Sequence, residues 1–361
     1  MIAKELILQN FRNYKNQSIK LGSGINVFYG KNAQGKTNVL EAVRLFSGIK
    51  SHRGARDNEL INFDSDKALV SLLFDSNERE NFTEIFMERG KKRQIKVNGV
   101  GKKSLSQLAE YFSVVMFTPE DLSVIKGGPG ERRRMLDEAI SSVKPAYLST
   151  LSQYNKILEN KNKLLKAEIQ DNEMIMLWNE SLCNAGARII CYRKSFLQVL
   201  NPVIKRFHSR ITDGEELDFL YKTSSDDADN ETDIRNILLE KTRKGIEKEK
   251  AAGVSLYGPH RDDMEFFING KDVKLFGSQG QQRTVVLGMK LSQIEIAKNE
   301  KGEYPVLLLD DILSELDSGR RRFLLERIEN HQVLITCTES EELLKNSQSR
   351  LFNVENGSII Q

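Results

Sequence analysis

Apolar residues dominate Leu6–Gln9 (LILQ) and Ile25–Tyr29 (INVFY). Both stretches predict strands, and Gly30 cuts the second one short. From Thr37 the apolar spacing changes to three and four, through Leu40, Val43 and Phe46 or Ser47, until Gly48. That is the period of a helix with a glycine stop. Residues 68–118 carry short apolar runs, ALVSLLF, TEIFMER, RQIKVNG and VVMFT, and Asn98–Gly101 (NGVG) has hairpin chemistry. This stretch predicts a meander of strands, so the first third of the chain is β-rich around a single strand–loop–helix unit.

From about Glu131 the pattern becomes helical. Trp178, Leu182, Ala185, Ile189, Tyr192, Phe196 and Val199 recur at alternating spacings of four and three, and Pro202 is expected to end the run. An upstream helix over about Ala146–Gln170 carries Leu151, Tyr154, Leu158 and Leu165. The two stripes predict an antiparallel helical hairpin whose apolar residues are core. Ser224–Glu231 (SSDDADNE) reads as a polar connection. After about Gly253 the β/α character returns, with Val306–Asp310 as a buried strand and two more at 333–336 and 351–354. The expected organisation is an α/β lobe from residues 1–118 and 250–361, interrupted by a mainly helical lobe at 119–249.

Composition narrows the class. At 361 residues, 39% hydrophobic and 29% charged, the chain has the make-up of a globular protein of about two domains. Its 54 basic and 51 acidic residues leave a net charge of +3, so a nucleic-acid partner must be held by a local patch. Cys183, Cys191 and Cys337 form no metal-ligand spacing with the four histidines, which fits a reducing compartment. No apolar run reaches the roughly 18–20 residues that cross a bilayer. The alternating, charged N-terminus reads as a strand and not as a signal peptide. A cytoplasmic protein without membrane partners is expected.

Gly30-Lys31-Asn32-Ala33-Gln34-Gly35-Lys36-Thr37 matches G-x-x-x-x-G-K-[ST] between a predicted strand and a predicted helix. The glycines let backbone N–H groups and the helix N-terminus face a phosphate chain. Lys36 would neutralise the β- and γ-phosphates, and the Thr37 hydroxyl would complete the shell of Mg²⁺. The matching acidic residue follows four apolar ones in Val306–Asp311 (VLLLDD). A carboxylate there needs a cation or donors. Asp310 is therefore expected on the Mg²⁺ side, with Asp311 placed to polarise water. Loop and acidic strand together predict a nucleoside triphosphate site with Mg²⁺.

Leu275–Arg283 (LFGSQGQQR), which includes Ser278-Gln279-Gly280-Gln281, is expected to open a long helix carrying Val286, Met289, Leu291 and Ile294. Alone, Ser278 is an ordinary N-cap. With the phosphate loop, the acidic strand and Ser314-Glu315-Leu316-Asp317 after it, the set resembles the ATP-binding-cassette arrangement of P-loop, signature helix, acidic strand and D-loop. Within that set the chain is most similar to the RecF family, relatives of the SMC proteins. The similarity is carried by Asn10–Tyr14 (NFRNY), Gly35–Ala42 (GKTNVLEA), Thr118–Asp121 (TPED), Gly127–Pro129 (GGP), Arg132-Arg133, Tyr257–Asp263 (YGPHRDD) and Leu309–Asp317 (LDDILSELD). It runs through nearly the whole chain, and only a short helical hairpin stands where SMC proteins insert long coiled coils.

The resemblance implies an α/β ATPase head of the ABC type and two protomers sandwiching two ATP molecules. Ser278 and Gly280 would act on the nucleotide held by the partner's loop, whose Gly30–Thr37 stretch is followed by Asn38. Arg12 and Asn32 would lie near the γ-phosphate. It also implies a DNA clamp in recombinational repair, replication restart and the SOS response. Such a clamp would bind single-stranded, double-stranded or gapped DNA and assist RecA loading with RecR and RecO. Two departures from the wider cassette family, Asp311 in place of Glu and Cys337-Thr338 where a switch histidine is usual, imply weak hydrolysis. The rival readings are an SMC-like chromosome protein and a transporter ATPase subunit. The missing coiled-coil arms oppose the first; the helical hairpin and the Gly-Pro-His stretch oppose the second.

Two basic clusters remain. Arg89–Lys103 holds seven basic residues and no acidic one, suited either to a DNA backbone or to a solvated hairpin tip. Arg132–Arg134 would sit in the first turn of a helix, where the dipole disfavours cations. An internal carboxylate and DNA are equally good explanations. His260 and Arg261 would line a cleft or form a satisfied loop pair, and Glu120 stands where cassette proteins couple nucleotide to their second lobe.

Overall fold

A computed structural model describes residues 1–49, 55–168, 171–212, 214–225, 228–338 and 349–360. The chain starts with strands β1 (Ile2–Phe11), β2 (Tyr14–Lys20) and β3 (Ile25–Tyr29), then helices α1 (Lys36–Leu45) and α2 (Asp57–Leu60). Strands β4 (Lys67–Ser76), β5 (Arg79–Glu88), β6 (Gln94–Val97), β7 (Val100–Lys102) and β8 (Val114–Phe117) follow. Helices α3 (Pro129–Val143), α4 (Pro145–Leu165) and α5 (Asn172–Ile211) precede β9 (Leu217–Lys222), α6 (Glu231–Lys244) and α7 (Ile246–Ala252). Next come β10 (Asp263–Ile268), β11 (Lys271–Asp272), α8 (Val273–Phe276) and α9 (Gln279–Lys301). The chain closes with β12 (Val306–Asp310), α10 (Ser318–Ile328), β13 (Val333–Cys337), β14 (Arg350–Glu355) and β15 (Ser358–Ile360).

Two compact units result: residues 1–122 with 290–361, and residues 123–289. The first holds two six-stranded sheets. One is antiparallel, in the order β2-β1-β4-β5-β6-β7. Its strands alternate buried and exposed positions, as in β6 with Ile95 and Val97 inward. The other has the order β15-β14-β3-β13-β12-β8, parallel except for β15. In β8, β12 and β13 every residue is buried, the pattern of strands covered on both faces. This sheet joins β3 from the start of the chain to strands from its end, and the C-terminal edges of β3, β12 and β13 meet there. Apolar side chains from both sheets and from α1 form one core that includes Leu6, Phe28, Val43, Phe74 and Leu308.

Three expectations about elements change. VVMF does not continue the meander; as β8 it pairs in parallel with β12. A fully apolar four-residue run carries no sign of its partner, so only the long-range pairing decides its sheet. Leu275 and Phe276 belong to the separate helix α8, and α9 starts at Gln279. Pro202 does not end its helix: α5 runs on to Ile211. Pro202 is exposed, so water can meet the carbonyl it leaves unbonded, while buried Val203, Ile204 and Phe207 hold the next turns.

In the second unit α4 packs along α5, and β9, β10 and β11 form a three-stranded antiparallel sheet. The expected end of α4 at Gln170 lies outside the described residues, as do Asp226 and Asp227 of the acidic connection. Asp171 caps helix α5: its carboxylate accepts the N–H groups of Glu173 and Met174. No helix among the described residues is long and apolar enough to cross a membrane.

Candidate nucleotide site

The loop between β3 and α1 is built so that only glycine fits at its two ends. Gly30 has φ +144, and a Cβ there would lie 2.4 Å from the Val354 carbonyl oxygen on β14. Gly35 has φ +117, and a Cβ would meet the Asn13 amide nitrogen at 2.6 Å. The turn between β1 and β2 braces the loop. Asn13 Nδ2 donates to Gln34 O at 2.7 Å, Tyr14 donates to Gly35 O at 3.1 Å, and Asn38 Nδ2 donates to Asn13 Oδ1 at 2.8 Å. On the other side the Asn356 N–H donates to Gln34 Oε1 at 2.6 Å. No described side chain caps α1 at Gly35, so its first turn presents backbone N–H groups to the loop.

Within that frame Lys36 is 4% exposed, and its Nζ donates to Gly30 O at 2.5 Å and Lys31 O at 3.3 Å. Lys31, Asn32 and Ala33 form the exposed crest of the loop, with Ala33 at φ 66. Thr37 Oγ1 donates to Asp310 Oδ1 at 2.8 Å, which joins loop and acidic strand although β13 lies between β3 and β12. Asp311 leaves the strand at φ 49, and its N–H donates to Thr336 Oγ1 at 2.9 Å. Thr37 and Asp310 offer a hydroxyl and a carboxylate side by side, the hard-oxygen set that suits Mg²⁺.

Arg12 is engaged inside the first unit: Nε and Nη2 pair with both carboxylate oxygens of buried Glu41 at 2.8 Å, and Nη1 donates to Glu59 O. Reading the sequence missed the roles of Glu41, Asn13 and Thr336. Glu41 carried a signal, since a carboxylate buried on the apolar face of α1 needs a partner. Another missed contact is Lys290 on α9, 4% exposed, which bonds Met116 O at 2.6 Å and Asp121 at 3.0 Å. It ties α9 to the end of β8, beside Glu120.

Ser278 stands exposed in the second unit as the first residue before α9. Its Oγ accepts the Gln281 N–H at 3.1 Å while Gln281 Oε1 accepts the Ser278 N–H at 2.8 Å, a reciprocal capping box. Gln281 Nε2 donates onward to Glu215 at 2.7 Å. After the acidic strand, Asp317 caps α10 through the Arg320 N–H, and Ser314 donates to Asp311 O.

This constellation has close relatives. The model of the RecF/RecN/SMC N-terminal domain matches residues 2–359. The DNA replication and repair protein RecF of Acetivibrio thermocellus is 43% identical over 348 residues, 94% of each chain. That of Clostridium perfringens is 42% identical over 362 residues, 99% of each. The chain belongs to the RecF family. A solved structure of the recombination mediator protein RecF with ATP, described within the RecFOR pathway, matches at TM-score 0.90 and 38% identity, covering 99% of this chain and 97% of that one. An SMC head bound to the winged-helix domain of ScpA matches at TM-score 0.56 and 14% identity, which shows the shared ATPase-head fold alone. The α/β SMC/RecF-like head expected from the residues is the fold observed.

For this RecF-family chain the basic clusters separate. Arg132, 4% exposed, pairs with Asp263 at 2.8 Å and donates to Gly127 O, and Arg133 donates to Asp262 O at 2.7 Å. Of the two explanations for these arginines, the internal carboxylate is the one in place for Arg132; Arg133 bonds a main-chain carbonyl, and Arg134 is exposed. In the 89–103 stretch Arg93 pairs with Asp57, Lys91 with Glu88 and Lys102 with the Tyr111 hydroxyl. Lys92, Lys96 and Lys103 are exposed.

The Gly-Pro-His stretch is the hub of the second unit. Arg193, 2% exposed on α5, donates to Pro259 O and Asp262 on one side and to Asp137 on the other. Tyr147 and Tyr221 donate hydrogen bonds to Asp137 and Asp262. His260 Nε2 faces Ser255 O at 3.0 Å and Nδ1 faces the Tyr154 hydroxyl at 2.6 Å, so the neutral ring donates through Nε2 and accepts through Nδ1. Burial holds its pKa down at about 4. Among the described residues no cluster of His, Cys, Asp and Glu forms a separate metal site.

Proposed function

We propose that the protein is an ATP-dependent DNA-binding clamp of recombinational repair: two copies close around ATP on DNA and slow hydrolysis releases them. The observation that carries this is the direct bond between the Thr37 hydroxyl and Asp310, at the joint of a glycine-bounded loop and a buried acidic strand. Backbone N–H groups at the start of α1 and the Lys36 ammonium meet the phosphates, where a phosphate oxygen takes the place of the loop carbonyls that Lys36 now bonds. Thr37 and Asp310 would hold Mg²⁺, which neutralises charge on the phosphate oxygens. Asp311 accepts a proton from the attacking water. Ser278 and Gly280 act on the nucleotide of the opposite copy, where the exposed N-terminus of α9 adds its positive dipole end. The ATP-bound RecF relative and the RecFOR setting named for it support this reading, with RecR and RecO as partners and RecA loading at gaps as the outcome.

The Asp311→Asn variant tests the clamp. ATP still binds, the ATP-dependent dimer outlasts that of the parent protein, and hydrolysis falls by roughly 100-fold, within the range lost with a general base. Sedimentation velocity with ATP and gapped DNA, alongside phosphate release, reads both. Turnover at the parental rate would assign the water to another residue.

DNA contact is placed on the exposed lysines of the β5–β7 region. Replacing Lys92, Lys96 and Lys103 with Ala leaves the Arg93–Asp57 and Lys91–Glu88 pairs intact. At about 0.7–0.9 per phosphate contact, the slope of log affinity against log salt flattens by roughly two units, equally for all sequences. Fluorescence anisotropy over a salt series measures it; an unchanged slope moves the contact to Arg134 and other surface cations.

A further inference from the structure

One hydroxyl on the strand between the phosphate loop and the acidic strand touches both acidic residues. Thr336 lies opposite Asp310 in the parallel ladder of β12 and β13 and is 1% exposed. Its Oγ1 donates to Asp310 Oδ1 at 2.7 Å and accepts the Asp311 N–H at 2.9 Å. Asp310 Oδ1 therefore receives two hydroxyls, one from Thr37 and one from Thr336. Asp311 has φ 49, a left-handed conformation that side-chain-bearing residues seldom adopt, so its turn needs an anchor. The bond to Thr336 is that anchor, and it sets the direction in which the chain leaves β12.

We infer that Thr336 is a positioning residue of the ATPase site. Its hydroxyl fixes the Asp310 carboxylate beside Thr37 and holds the Asp311 turn, so that the two carboxylates keep their separate directions. This rests on the ATPase reading above. Packing alone asks only for a β-branched side chain at a buried strand position, and valine has the same shape. The hydroxyl is what links the acids, so the isosteric change isolates it.

The test compares the parent protein with Thr336→Val and Thr336→Ser, using Asp311→Asn as reference. In Thr336→Val, kcat falls roughly 10- to 100-fold, the scale of a small misplacement of a reacting group. Nucleotide affinity stays within about threefold, so the loss lies in kcat and not in binding. The ATP-bound dimer persists as it does in Asp311→Asn. Without nucleotide, the Asp311 amide exchanges its hydrogen faster in Thr336→Val and at the parental rate in Thr336→Ser. Thr336→Ser turns over within about twofold of the parent, because it keeps the hydroxyl. If Thr336→Val does not fold, Thr336→Cys takes its place with the same expectations, since a thiol donates and accepts weakly. Parental turnover in the valine variant, equal impairment in the serine variant, or joint loss of binding and turnover would each overturn the inference. A failure of the ATPase reading itself shows elsewhere, as hydrolysis that survives Lys36→Met.

Discussion

ATP binding to the Lys36→Met variant is expected to weaken by roughly 100-fold or more, about 2.8 kcal/mol. Lys36 is buried and reaches across the loop to Gly30 O and Lys31 O, so its ammonium stands where the phosphate chain would lie. A charge-assisted hydrogen bond contributes about 1.5–3 kcal/mol, and here it acts in a site largely shielded from water. Methionine keeps most of the side-chain volume, and the braces from Asn13, Tyr14 and Asn356 do not involve Lys36. The melting temperature should therefore change little. Titration with a fluorescent ATP analogue, with thermal unfolding as control, measures both. Tight binding by a folded Lys36→Met protein would remove the phosphate loop from the ATP site.

The second large effect is on assembly. Ser278→Arg should bind nucleotide nearly as well as the parent but give no ATP-dependent dimer in gel filtration. Ser278 is exposed and far along the chain from the loop, and its only described side-chain bond is the cap to Gln281. Losing that cap costs about 1 kcal/mol of local stability. Placing a long cation at a surface meant to approach a second copy costs assembly itself. Ser278→Asn separates the two, because asparagine also caps helices. A cap-only role predicts a normal dimer from Ser278→Asn and a weakened but present one from Ser278→Arg. A role toward the partner's nucleotide predicts loss in both, and a full dimer from Ser278→Arg would end that proposal.

What was legible in the sequence was local. The phosphate loop, the helix behind it, the acidic strand and the cap of α9 are contiguous stretches. Their chemistry follows from spacing: glycines that permit positive φ, a helix period after Thr37, and a carboxylate after four apolar residues. The family was legible for the same reason, because its motifs are unbroken and keep their order along the chain.

Tertiary structure decided what depends on residues far apart. Asn13 and Asn356 brace one loop from opposite ends of the chain, and Glu41 holds Arg12 through a fold that no helical period announces. Arg132 met Asp263 inside its own unit, 131 positions away. Pro202 was absorbed because the turns after it are anchored in the core and the residue itself faces water. Thr336 looked like an ordinary strand residue until the parallel register set it opposite Asp310. Sequence by itself determined which chemistry the chain carries, since functional-group identity and local backbone preference are properties of short segments. Only the fold decided which groups are already partnered and which face outward, because pairing depends on register between strands that the chain order does not contain.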